Sequence, residues 1–277
     1  MKDYEIHGMK IFDKKVIPVF ETGKMSELQL ISSSKGNQRK WYVKEERMYV
    51  KEQFFYQGKY WKDYLVEVIS SEIGKQLPSG CAKVLQQQLC KITDWMGTQY
   101  GVCSYDFAPD LRYVSFKRII DIQNSYFDTR APIAEKWDFV LESVQGFSGL
   151  DYTDYLITMT LLDYLTGNED RHINNFGILQ GGTGFQIPPL FDFGLGLFEH
   201  DLKYEHVPFR ECLKLMYSKP FHADNQKVIN FVAKKYDLGQ YLPKCLDLAD
   251  VEIPSPKAGS YLRNRCMELG INLKGVE

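Results

Sequence analysis

The chain has 277 residues and a formal net charge of −2, with 44% hydrophobic, 25% charged and 14% aromatic residues. That length holds one large domain or two small lobes, and the composition is that of a folded globular chain, not a disordered or fibrous one. A net charge so close to zero gives no electrostatic reason to expect direct nucleic-acid binding. Six scattered cysteines, with no C-x-x-C and no His at ligand spacing, read as free thiols of a reducing compartment. The polar start Met-Lys-Asp-Tyr-Glu is no signal peptide, and no apolar run reaches the ~18 residues of a membrane span. The expectation is a cytoplasmic protein.

Residues 15–20 form a first strand candidate. Residues 31–40 (I-S-S-S-K-G-N-Q-R-K) are a loop of small and polar side chains between two strand candidates. W-Y-V-K and M-Y-V-K-E then flank a tight turn, as in a hairpin, and Lys44 and Lys51 each end a strand-like triplet. Over residues 61–77 apolar positions recur at helical spacing, and Pro78-Ser79-Gly80 ends the run. This helix carries Glu67 and Glu72, and periodicity puts Glu72 nearer the apolar stripe. Residues 82–89 and 98–107 are expected as two strands around a turn at 94–97. Residues 113–120 are strand-like, residues 134–144 helical, and Gly146, Ser148 and Gly149 read as a loop. Residues 151–166 are apolar on most sides of a helix, which makes it a deeply buried, rigid base for the loop that begins at Gly167.

Residues 167–198 are the organising stretch. Two polar clusters interrupt an apolar run: Asn168, Asp170, Arg171, His172, Asn174 and Asn175 in the first, Asp192-Phe193-Gly194 in the second. Between them, two short apolar segments flank Gln180-Gly181-Gly182-Thr183-Gly184, a hairpin turn by composition. The hairpin returns the chain to its starting end, so the two clusters should meet. A carboxylate, a carboxamide five residues on, and a second carboxylate then converge. Phosphoryl transfer needs such groups, to orient a hydroxyl, to hold Mg²⁺ and to neutralise developing charge. Asp170 suits the first task, Asn175 and Asp192 the second.

D-R-H-x-x-N-F-G followed by P-L-F-D-F-G resembles the catalytic core of the HipA-like Ser/Thr kinases, and D-R-H-x-x-N with D-F-G is also similar to the phosphoinositide kinases. The resemblance is strong over residues 168–194 and moderate over 48–77. It implies an α+β, bilobal protein-kinase-like fold: a β-rich N-lobe with one αC-like helix over residues 1–107, and a mainly helical C-lobe over 108–277, joined by a hinge near 103–108. It implies an ATP- and Mg²⁺-dependent serine/threonine kinase capable of autophosphorylation. Lys51 would hold the α- and β-phosphates, and the resemblance selects Glu67 as its tether where periodicity favours Glu72. Asn175 and Asp192 would hold Mg²⁺, and Asp170 would orient the acceptor hydroxyl and take its proton. The Ser-rich loop would cover the phosphates through Ser33 and Ser34. Ser32, Ser33 and Ser34 are the candidate autophosphorylation sites. His172 would be a packed scaffold residue bonding backbone near the D-F-G, and Arg171 structural or anion-pairing. Residues 195–225 would be the activation segment and substrate platform, with His200 and His206 as loop residues. The implied partners are a protein substrate and a DNA-binding, antitoxin-like protein. The alternatives are a phosphoinositide or other small-molecule kinase, and a pseudokinase acting as a nucleotide-binding interaction module.

Overall fold

In a computed structural model of the chain, the structure describes residues 4–6, 9–11, 16–28, 38–120 and 130–276. Ser32, Ser33 and Ser34 of the expected phosphate loop lie outside the described residues. A short antiparallel pair, β1 (Tyr4–Ile6) and β2 (Met9–Ile11), comes first. A six-stranded sheet then dominates the first half. It contains β3 (Val19–Glu21), β4 (Ser26–Glu27), β5 (Lys40–Val43) and β6 (Met48–Glu52). A small hairpin of β7 (Phe55–Tyr56) and β8 (Lys59–Tyr60) leads into helix α1 (Asp63–Gln76), and β9 (Gln88–Asp94) and β10 (Gly97–Tyr105) complete the sheet. The strand order is β3-β9-β10-β6-β5-β4, antiparallel except where β3 runs parallel to β9.

Alternation on these strands sorts their side chains between the two faces of the sheet. On β6, Met48, Val50 and Glu52 are buried, with Trp41, Val43, Cys90, Ile92 and Cys103 packed beside the two apolar ones. Tyr49 and Lys51 point to the opposite face. The β5–β6 register pairs Lys51 with Lys40 and Tyr49 with Tyr42, so all four share that face. Helix α1 packs on β9 and β10, Tyr64 and Leu65 meeting Val102, and its other side sends Val66, Ile69 and Ile73 into the core of the second half.

The second half is mainly helical: α2 (Phe116–Ile120), α3 (Ile133–Ser148), α4 (Thr153–Thr166), α5 (Phe209–Leu215), α6 (Asn225–Lys235) and α7 (Pro256–Glu268). A three-stranded sheet is set among them. Its strand β11 (Arg112–Ser115) runs straight into α2, while β12 (Gly177–Gly181) and β13 (Gly184–Gln186) fall between α4 and α5. The parallel pair β14 (Cys245–Asp247) and β15 (Asn272–Lys274) brackets α7. Residues 155–166 of α4 are all buried, as a helix apolar on every side requires. Its C-cap Gly167 takes φ 60, a left-handed turn that suits glycine and delivers the chain into the first polar cluster. A β-rich first half with one long helix and a mainly helical second half is the expected α+β architecture.

Four sequence expectations are corrected. The strand expected over residues 15–20 is β3, shifted toward Glu21. Residues 82–87 do not join the sheet. Leu85 N–H donates to Leu190 O and Leu190 N–H to Lys83 O, a local clip holding this segment beside the D-F-G run. Residues 113–120 are a strand only to Ser115, because β12 begins opposite it at Gly177. Beyond that point Phe116 N–H still donates to Phe176 O and Lys117 N–H to Ile173 O, but the chain turns away from the ladder, and Phe116 and Ile120 are buried at the i, i+4 spacing of a helix. Gly146 and Ser148 belong to α3, and only Gly149, with φ 74, leaves it. All six cysteines are free thiols. Among the described residues, no helix is long and apolar enough to cross a membrane.

Candidate active site

Lys51 is the junction between the two halves. Its Nζ donates to Glu67 Oε1 at 2.8 Å and to Asp192 Oδ1 at 3.1 Å. Glu67 is buried on α1, and its second oxygen accepts the Phe193 N–H at 2.9 Å. One glutamate therefore fixes both the lysine and the D-F-G backbone. Glu72 sits five residues on and pairs with Lys75 at 3.2 Å, and Lys44 is exposed in the β5–β6 turn. The spacing explains the choice: five residues is about 500° around a helix, so the two glutamates lie on well-separated faces. Asp192 has φ 63, a left-handed conformation that aspartate tolerates better than most residues. Two residues past the D-F-G, Gly196 packs so closely that a Cβ would lie 2.5 Å from Thr166 O.

The first polar cluster is anchored from below. Asp163, inside α4, accepts from Arg171 Nε and Nη2 and from Asn168 Nδ2, all at 2.8–3.2 Å. Arg171 is completely buried. Its Nη1 donates to Phe191 O at 2.7 Å and to Asn175 O at 3.2 Å, and its guanidinium lies over the Phe193 ring. The residue that ties this loop to the D-F-G backbone is therefore Arg171. His172, expected in that role, is half-exposed: its Nδ1 accepts the Asn174 N–H, and its Nε2 stands 3.6 Å from Asp170 Oδ2. Asn168 Oδ1 accepts the Asp170 N–H, and Asn175 Nδ2 donates to Asp170 O. Asn175 is thus oriented with its Oδ1 as the end available to a cation.

Glu169, between Asn168 and Asp170, was not a sequence candidate. It is a buried hub: Oε2 lies 2.7 Å from His200 Nε2 and 3.1 Å from Lys203 Nζ, while Oε1 accepts the Tyr204 hydroxyl and, at 2.6 Å, the Tyr217 N–H. His200 is consequently buried, not a free loop residue. Two residues after Tyr217, Lys219 Nζ donates to Asp170 Oδ1 at 2.9 Å.

Charge and burial compete at each of these groups. Burial opposes the Lys51 cation, but Glu67 and Asp192 outweigh it and hold the lysine protonated. Burial opposes the Asp192 charge too, and Lys51, then Lys40, overcome it, so Asp192 stays ionised well below the usual carboxylate range. Burial, then Lys51, lowers the pKa of Lys40, which shares the sheet face of Lys51. Asp63, at the start of α1, is pushed up to about 7 chiefly by burial, although it accepts from Phe54 N and Gln38 Nε2. Lys40 and Asp63 were both missed in the sequence, where nothing but the eventual register and helix start marks them.

Among the described residues, no three His, Cys, Asp or Glu side chains converge as a metal cluster. What Asn175 and Asp192 offer is one amide oxygen and one ionised carboxylate. Few hard oxygen donors suit Mg²⁺, which keeps most of its waters, so the residues present fit that ion.

No family model and no curated protein matches the chain. Solved structures do. One is the proinflammatory kinase CtkA of Helicobacter pylori: 18% identity, 72% of this chain and 66% of that one covered, TM-score 0.47. Another is HipA of Shewanella oneidensis MR-1, solved with HipB and its operator DNA: 11% identity, 88% and 64% covered, TM-score 0.42. In each case the aligned part is just under two thirds of the neighbour's own length. Likenesses this distant concern the fold alone.

Proposed function

We propose that the chain is an ATP- and Mg²⁺-dependent phosphotransferase, a HipA-like serine/threonine protein kinase capable of autophosphorylation. The observation that carries this reading is the bonding of Lys51 to both Glu67 and Asp192, beside a loop that presents Asp170 and Asn175. Lys51 would hold the α- and β-phosphates, with Glu67 keeping its ammonium from collapsing onto Asp192 alone. Asn175 and Asp192 would hold Mg²⁺, which when bound neutralises phosphate charge. Asp170 orients the acceptor hydroxyl. As the new O–P bond forms and the bond to the bridging oxygen breaks, the hydroxyl proton passes to Asp170 and ADP leaves. The proposed lobes, residues 1–107 and 108–277, would meet where Phe107 stacks on Phe191, next to Asp192.

The test is transfer from γ-labelled ATP by wild type, Asp170→Ala and Asp192→Ala, with protein and lipid products separated. Label on protein, lost in both variants, is the expected result. Label on lipid alone would replace the acceptor with a phosphoinositide. Nucleotide binding without any transfer would leave the pseudokinase reading in its place. The DNA-binding, antitoxin-like partner is a separate part of the proposal, checked by whether a tagged chain co-purifies with such a protein.

A further inference from the structure

The Lys219–Asp170 contact joins residues 49 apart in sequence, and both ends are built. Lys219 lies between α5 and α6. On one side, Tyr217 N–H is fixed on buried Glu169 and Ser218 N–H on Ala223 O at 2.8 Å. On the other, buried Phe221 packs against Trp137 with ring centroids 5.2 Å apart. The lysine head is therefore aimed, in contrast to a surface lysine that finds a carboxylate by chance.

Phosphoryl transfer spreads negative charge over the oxygens of the moving group, next to the residue that orients the nucleophile. A fixed cation at that point stabilises the charge as it forms. Lys51 is engaged by Glu67 and Asp192 at the other polar cluster. An ammonium has three N–H donors, and Asp170 takes one of those of Lys219.

We propose that Lys219 is a catalytic residue of this site, one that contacts the γ-phosphoryl group. One N–H holds the Asp170 carboxylate in place. The others donate to the oxygens of the γ-phosphoryl group. Lys219 stays protonated throughout; the proton that moves is the acceptor's, to Asp170. The inference rests on the phosphotransferase reading and adds to it a cation from outside both motifs, supplied by the segment that Glu169 anchors.

The experiment measures calorimetric binding of ADP and of AMP-PNP, with Mg²⁺, to wild type, Lys219→Met and Lys219→Arg, together with transfer from γ-labelled ATP to protein and to water. Lys219→Met should bind ADP within about twofold of wild type, lose roughly tenfold in AMP-PNP affinity, and transfer ~100-fold more slowly. Lys219→Arg should keep most of the AMP-PNP affinity. If Lys219→Met fails to fold, Lys219→Gln takes its place. Equal losses for ADP and AMP-PNP, no loss for either, or faster transfer each overturn the assignment. A wild type that binds both nucleotides and transfers nothing removes the kinase reading, yet the ADP and AMP-PNP comparison still decides whether Lys219 meets the γ-phosphate.

Discussion

Glu169→Gln removes one charge from a carboxylate that is 7% exposed and contacts His200, Lys203, Tyr204 and Tyr217. Burial works against that charge, but His200 first, then Tyr204 and Lys203, bring its pKa from the ordinary 4.5 down to about 2. A depression of roughly 2.5 pH units corresponds to about 3 kcal/mol of stability. The sign comes from the direction of the shift. With a folded-state pKa below the unfolded one, the stabilisation is fully present above pH 4.5 and is lost as pH falls through about 2. Urea unfolding should therefore find the variant about 3 kcal/mol less stable at about pH 7, with the gap narrowing by roughly 1.4 kcal/mol by about pH 3.5. Gln can still accept from Tyr217 and Tyr204, so packing is preserved and the charge is what is removed. A gap that stays the same at both pH values would refute the reasoning, because it would assign the cost to shape and not to ionisation.

Arg171→Met should leave Asp163 as a buried carboxylate paired only with Asn168, at a cost of about 3–5 kcal/mol in chemical unfolding. Asp163→Leu in the same chain should recover part of it, since removing both charges is far less costly than stranding one. Asp63→Asn tests the opposite sign. Its folded pKa of about 7 exceeds the ordinary 3.8, so its contribution is fully present below pH 3.8 and is lost as pH rises through about 7. Melting curves at about pH 5 and about pH 7 should show wild type losing ground to the variant by roughly 1.4 kcal/mol per pH unit, and parallel curves would sink this account.

What could be read in the sequence was whatever local spacing controls. The β5–β6 hairpin alternates cleanly, α4 is apolar on most sides, and the segment between the polar clusters returns through a glycine-rich turn. The groups that escaped notice depend on contacts distant in sequence. Lys40 faces Lys51 only once the strand register is fixed. Lys219 reaches Asp170 from beyond α5, 49 residues along the chain. His172 and Arg171 are neighbours, and residue type alone did not say which would be buried. One signal was available: Asp163 is a charge inside an otherwise apolar helix. A carboxylate so placed needs a buried cation, and the Arg eight residues on was the nearest in sequence. Residues 82–87 misled for a different reason. Their apolar spacing serves the clip to Leu190, a burial pattern that a strand would also give.

Two glutamates, the expected Glu67 and the unexpected Glu169, hold the site together, and each uses both carboxylate oxygens. Glu67 joins Lys51 to the D-F-G through the Phe193 N–H. Glu169 joins the loop of Asp170 to the segment that carries Lys219, through the Tyr217 N–H. In both, a lysine and an aspartate are brought together by a buried anion. In the proposed phosphoryl transfer, fixing the charges in advance would spare the reorganisation that free side chains or water undergo while negative charge builds. It also couples the parts. Loss of Glu67 should displace Lys51 and Asp192 together, and loss of Glu169 should displace Lys219 from Asp170, each disturbing an aspartate that the glutamate never touches.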